Sequence, residues 1–75
     1  MIDDATGRHP AVQAIVRHFE YGHLRENLQP VSKLFHDLAA ELVQLVPDDP
    51  ELTAALRHLL EAKDAAVRAA VVASE

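Results

Sequence analysis

Cysteine and tryptophan are both absent from this chain of 75 residues. Without cysteine, no disulfide can compensate for a thin core, and no thiolate can act as nucleophile or metal ligand. Glycine occurs 2 times and proline 4 times, too rarely for a collagen-like or low-complexity chain. No uncharged stretch approaches the ~18 residues of a membrane span. Met1–Pro10 carries no signal-peptide pattern. A Gly-rich phosphate loop, a nucleophile elbow and a zinc signature are all missing.

Hydrophobic residues make up 49% of the chain, which excludes a disordered one. A chain this short buries only ~60–65% of the surface that it exposes when unfolded. The expectation is therefore one small, soluble, intracellular helical domain that needs a copy of itself for stability.

The net charge of −5 is unevenly spread. Asp3 and Asp4 make the first seven residues negative. Residues 8–36 are positive, through Arg8, Arg17, Arg25 and Lys33 against Glu20 and Glu26. Residues 37–75 carry most of the acid, with only Arg57, Lys63 and Arg68 opposing it. Four of the five histidines (His9, His18, His23, His36) fall in the positive segment. The overall acidity argues against a general DNA or RNA binder. A local cationic patch on an acidic protein suits a small anion, although scattered solvated side chains would give the same composition.

Hydrophobic spacing predicts an all-α fold: a short N-terminal helix, then a long antiparallel helical hairpin that assembles as a homo-oligomer. Met1–Arg8 reads as a flexible leader before a single helical domain over 9–75, with helices about 10–20, 28–46 and 50–73. Pro10 suits the first position of the first helix, and Val12, Ile15, Val16 and Phe19 form its apolar face. Gly22 breaks that pattern, so Tyr21–Asn27 is expected to be a connector. Asn27 is the expected N-cap of the second helix. Its apolar residues Leu28, Val31, Phe35, Leu38, Leu42 and Leu45 alternate gaps of three and four, the seam of a helix packed at a shallow angle.

Pro47 ends that helix. Asp49 is expected to cap the third helix and Pro50 to open it, with Glu51 favouring the positive end of the helix dipole. Leu52, Leu56, Leu59, Leu60, Lys63, Val67 and Val71 recur at helical spacing, beside a stripe of small residues: Ala55, Ala62, Ala66, Ala69 and Ala73. The short second turn makes the second and third helices antiparallel neighbours. Leu34, Val43, Val46, Leu60 and Val72 fall partly off the seams, and this surplus apolar area predicts self-association.

Enzymatic chemistry has little support. Ser32 and His36 share a helix face, but Asp37 points about 100° away from His36 and no oxyanion donor is identifiable, so a triad is not expected. His58 with Glu61, and His18 with His23, are too few ligands for a metal. A helix-turn-helix reader is poorly supported, because the third helix starts Pro50-Glu51-Leu52 and its groove-facing end would be acidic. No cofactor is expected.

The residues suited to binding lie elsewhere. Tyr21 sits at a helix end beside Gly22, where a ring can stack on a planar ligand and the glycine allows close approach to the backbone; capping the core is its other reading. His23 and Arg25 flank it. Lys33 and His36, three apart, share a helix face. Lys63 can pair with a nearby Glu, while Arg68, in an otherwise apolar run, is either paired with Asp64 or aimed at an external anion, which arginine grips bidentately.

At these residues the sequence resembles the phage anti-CBASS cyclic-oligonucleotide sponges, small helical proteins that sequester bacterial immune second messengers. The likeness covers about residues 9–72. It consists of the apolar helix from His9 to Phe19, the element Tyr21-Gly22-His23-Leu24, an amphipathic helix with a mid-helix basic residue, and the closing Val67-Arg68-Ala69-Ala70-Val71. The resemblance implies a homo-oligomer, dimer-based and up to a hexamer, that holds cyclic dinucleotides or cyclic trinucleotides at subunit interfaces in the host cytoplasm, with neither DNA nor membrane as partner. It makes Tyr21 the base-stacking residue, with Gly22 and His23 beside it. Ungapped counting puts the family's phosphate-binding lysine on His36, a small shift puts it on Lys33, and Arg68 matches the closing arginine. The function it implies is stoichiometric capture without cleavage. The alternative is a non-catalytic helical module that binds another protein.

Overall fold

Three helices account for most of the residues, 7–74, that the computed structural model describes: α1 over Pro10–Val16, α2 over Gln29–Leu45 and α3 over Pro50–Ala73. Among the described residues there is no strand.

His9 caps α1 in an uncommon way, its Nδ1 accepting the Ala11 N–H at 3.0 Å, and Pro10 fills the first helical position. The helix ends at Val16 and tightens into a 3-10 turn over Arg17–Phe19, short of the expected boundary at 20. Val12, Val16 and Phe19 are buried and Ile15 is half-buried, so the spacing named the correct face. The Lys63 ammonium on α3 donates to the His18 carbonyl at 2.8 Å, satisfying an acceptor at the end of this first segment.

Asn27 does not cap α2. Leu28 occupies the N-cap with no side-chain hydrogen bond, because a turn closes first: the Leu28 and Gln29 N–H groups both donate to the Arg25 carbonyl. The Gln29 side chain then donates to the Leu24 carbonyl at 2.9 Å.

The seam proposed for α2 is also displaced. Ser32, Ala39 and Val43 are the buried residues of the helix, whereas Leu38 is 45% and Leu45 is 76% exposed. Residues 32, 39 and 43 form a stripe a sixth to a third of a turn away from the leucine seam. The core accepts this small stripe because Phe19 and Leu56, both fully buried, fill the volume opposite it. Val43, expected among the surplus, is fully buried. Leu34 and Val72 are 70% and 68% exposed, as surplus apolar residues should be.

Asp49 caps α3, its carboxylate accepting the Glu51 N–H at 2.8 Å. Leu52 and Leu56 point into the core, with Leu59 and Leu60 packed half-buried against it. Of the alanine stripe, Ala55, Ala62, Ala69 and Ala73 face solvent. The radius of gyration is 12.6 Å, above the ~11 Å expected of a rounded domain of this length. The 24 residues of α3, ~36 Å long at 1.5 Å per residue, set that elongation.

Arg8, the last residue of the expected leader, is fastened to the turn between α2 and α3; Met1–Thr6 lie outside the described residues. Its guanidinium donates to the Val43 carbonyl, to the Val46 carbonyl at 2.7 Å and to Asp48 at 2.7 Å. The other Asp48 oxygen accepts the His9 N–H at 3.0 Å. One side chain thus satisfies carbonyls at the end of α2 and joins both ends of the connected elements.

Candidate functional site

The connector between α1 and α2 brings Tyr21 against the flank of α2. Its ring meets the His36 ring edge to face, with centroids 5.1 Å apart and planes at 76°. His36 Nδ1 lies 3.1 Å from one oxygen of Asp37, and the Lys33 ammonium donates to the other at 2.7 Å. Helical spacing explains the second contact, since residues four apart stack along one face. Tyr21, Lys33, His36 and Asp37 therefore form one cluster, in which an aromatic ring borders two nitrogen groups that share a carboxylate.

The electrostatics follow from that sharing. The Asp37 hydrogen bond and charge hold the Lys33 ammonium above its ordinary value, with a further contribution from the Tyr21 phenol. Hydrogen bonds from Lys33 and then His36 hold the Asp37 carboxyl below the usual carboxylate range. Lys33 and Asp37 are about half exposed, whereas the His36 side chain is 18% exposed. The Tyr21 hydroxyl makes no hydrogen bond among the described residues.

The other nominated residues are dispersed around this cluster. Gly22 and His23 follow Tyr21 on the exposed connector. A Cβ built on Gly22 meets no atom within 4 Å, and the only positive glycine φ is at Gly7, so the fold does not require glycine at position 22. Arg25 is exposed, and its carbonyl accepts hydrogen bonds in the turn that starts α2. Lys63 pairs with Asp64 at 3.3 Å. That leaves Arg68 exposed and, among the described residues, without an ion pair.

Asp37 is the member that spacing alone did not nominate for binding. The signal was present in the four-residue interval from Lys33, opposite in charge and on one helix face. Ser32 is fully buried and its hydroxyl has no hydrogen-bond partner, so it makes no bond to His36. His58 and Glu61 approach to 3.8 Å on the exposed side of α3. Among the described residues, no three His, Asp or Glu side chains are placed to hold a metal ion, and no helix is long and apolar enough to cross a membrane. A cavity of about 380 Å³ opens toward the α2–α3 turn, between His9, Val12, Asp48, Thr53 and Arg57, and contains none of the nominated binding residues. No protein-family model, curated protein or solved structure matches the chain.

Proposed function

We propose that this protein is a phage-type sponge of the anti-CBASS kind, which captures cyclic dinucleotide or trinucleotide second messengers without cleaving them and so blunts bacterial anti-phage signalling. The observation that carries this reading is the edge-to-face contact of Tyr21 with His36, whose Asp37 partner also holds Lys33. A cyclic oligonucleotide presents flat purines joined by anionic phosphodiesters. An aromatic platform bordered by cations is the chemistry that recognises it. Tyr21 stacks a base, Lys33 and His36 hold phosphate, and Arg68, without an ion pair among the described residues, adds a second cationic contact. Gly22 keeps the ligand's approach to the connector open, a role consistent with a fold that makes no demand for glycine there.

Self-association belongs to the same proposal. Leu34, Leu38 and Leu45 recur on one face of α2 and are all exposed, with Val72 exposed on α3. Joining such faces between copies buries the surplus and builds a hairpin-based homo-oligomer whose seams enclose the ligand. Enclosure matters because sequestration needs tight binding, and nanomolar affinity corresponds to about −12 kcal/mol. The same exposed leucines favour a second reading, in which α2 docks a partner protein and no small ligand is bound.

Thermal shift against a panel of cyclic dinucleotides and trinucleotides, followed by recovery of the ligand after heat denaturation, separates these readings. Capture predicts a stabilisation of about 2.7 kcal/mol at a free ligand concentration 100 times Kd, and release of intact ligand. Altered ligand would identify an enzyme. No shift with any compound favours the docking module.

A further inference from the structure

The cavity of about 380 Å³ beside the α2–α3 turn shares no residue with the Tyr21 cluster. Its volume falls within the ~300–1,000 Å³ of small-molecule sites. The start of α1, the turn and the first two turns of α3 wall it, and Ala11, Val12 and Pro50 make part of that wall apolar.

The polar groups around it divide unevenly. The acceptors are engaged within the fold. Asp48 gives one oxygen to the Arg8 guanidinium and the other to the His9 N–H, and Asp49 gives one to the Glu51 N–H. The side-chain donors are not engaged. His9 Nδ1 accepts the Ala11 N–H, so the proton of the neutral ring sits on Nε2, which has no partner among the described residues. The Thr53 hydroxyl and the Arg57 guanidinium likewise make no hydrogen bond or ion pair among the described residues. Thr53 and Arg57 stand four apart, along one face of α3.

We infer that this cavity is a binding site for a small amphipathic monocarboxylate, its carboxylate held by Arg57 and its apolar body laid against Ala11, Val12 and Pro50. Donors without partners call for an acceptor, and a guanidinium matches a carboxylate with two parallel hydrogen bonds. Thr53 and His9 line the same space and supply further donors. The fixed charges limit the ligand to one negative charge. Arg8 and Arg57 together offset Asp48 and Asp49, and Arg8 is already bound to Asp48. The second charge of a phosphomonoester would lie near the two aspartates with no cation left for it. A cationic ligand would meet Arg57 and find Asp48 paired. The site is separate from the capture reading and stands or falls without it.

The test titrates the isotope-labelled full chain with octanoate, and with octylamine and octan-1-ol, which carry the same apolar chain with the opposite charge and with none. Amide chemical shifts give both affinity and location. The expected result is a Kd of about 1 mM or tighter for octanoate, with shifts centred on Ala11, Val12 and Thr53. The amine and the alcohol bind roughly tenfold more weakly, or less. Arg57→Gln weakens octanoate about tenfold, as expected on losing a bidentate charged contact. Arg17→Gln makes the same change in net charge just beyond α1 and leaves the affinity as it was; the amide spectrum checks that each variant is folded. Equal affinity for the three compounds, shifts centred on Leu34, Leu38 and Leu45, or an Arg57→Gln variant as tight as Arg17→Gln overturns the site. So does a folded wild type that does not bind octanoate. Each of these results leaves capture at Tyr21 standing, because the cavity contains none of its residues.

Discussion

Tyr21 meets His36 edge to face, 5.1 Å between centroids, and His36 is held in turn by Asp37, so the single tyrosine of the chain is coupled to the charged flank of α2. The contact is peripheral to the core, which Phe19, Val12, Val43 and Leu56 fill without it. Tyr21→Ala is therefore expected to abolish cyclic-nucleotide binding while lowering stability by only about 1 kcal/mol, the worth of one aromatic pair. Tyr21→Phe keeps both, because the hydroxyl makes no hydrogen bond among the described residues. Calorimetry together with thermal denaturation checks the pair of variants; unfolding of Tyr21→Ala would make Tyr21 a core cap.

Arg8 is expected to matter more to stability than any other exposed-end residue. Arg8→Ala strands the Val43 and Val46 carbonyls and frees Asp48. The expected cost is about 1–3 kcal/mol, or roughly 4–24 °C in Tm for a domain of this size. Chemical denaturation with an unchanged m-value is the check.

The same clamp sets part of the acid response. Burial raises the Asp48 carboxyl, but the hydrogen bonds from Arg8 and the His9 N–H outweigh it and leave the group below its ordinary value. A carboxylate depressed in the folded state adds stability that is complete above the unfolded value, about 3.9, and is lost as pH falls through the folded value. Asp48→Asn is therefore expected to be less stable at pH 7 and to lose less on further acidification below pH 4. Urea midpoints at pH 7, 4 and 2.5 measure both effects.

The sequence disclosed some of this and concealed the rest for physical reasons. The α1 face and the Asp49–Pro50 start of α3 were legible because both are local: one is a helical period and the other a cap. The buried side of α2 was not. Leu38 and Leu45 look more hydrophobic than Ser32 and Ala39, but the large rings and leucines of the neighbouring elements leave room only for small side chains there. The Arg8 clamp spans 35 to 40 residues of chain, and no local rule anticipates it. At the site, Tyr21, Lys33 and His36 were legible from residue type and spacing. Asp37 was missed as their shared partner because an acid four residues from a lysine is ordinarily a solvated surface pair.

Exposed leucines on α2 give the assembly prediction. Leu34→Glu and Leu38→Glu place charge where the proposed oligomer buries apolar surface, while the folded protomer already leaves these side chains 70% and 45% exposed. Each is expected to yield a helical, folded monomer at micromolar concentration, where wild type forms a larger species. Sedimentation velocity with circular dichroism distinguishes the outcomes. A wild-type monomer would remove the oligomer from the proposal.

Ser32 offers the sharpest test of the core. Its hydroxyl is fully buried and lacks a hydrogen-bond partner among the described residues. A buried hydroxyl without a partner costs about 1–3 kcal/mol by the measure of protein variants. Replacing it with alanine removes that cost and one heavy atom, so the void created is smaller than a methylene-scale cavity of ~1 kcal/mol. Alanine is also the better helix former, by a few tenths of a kcal/mol. The terms favour the variant, and Ser32→Ala is expected to raise stability by roughly 1 kcal/mol, or about 4–8 °C in Tm. A drop of similar size would mean that the hydroxyl donates within α2 in solution, to the carbonyl one turn earlier at Leu28, and that the helix depends on that bond.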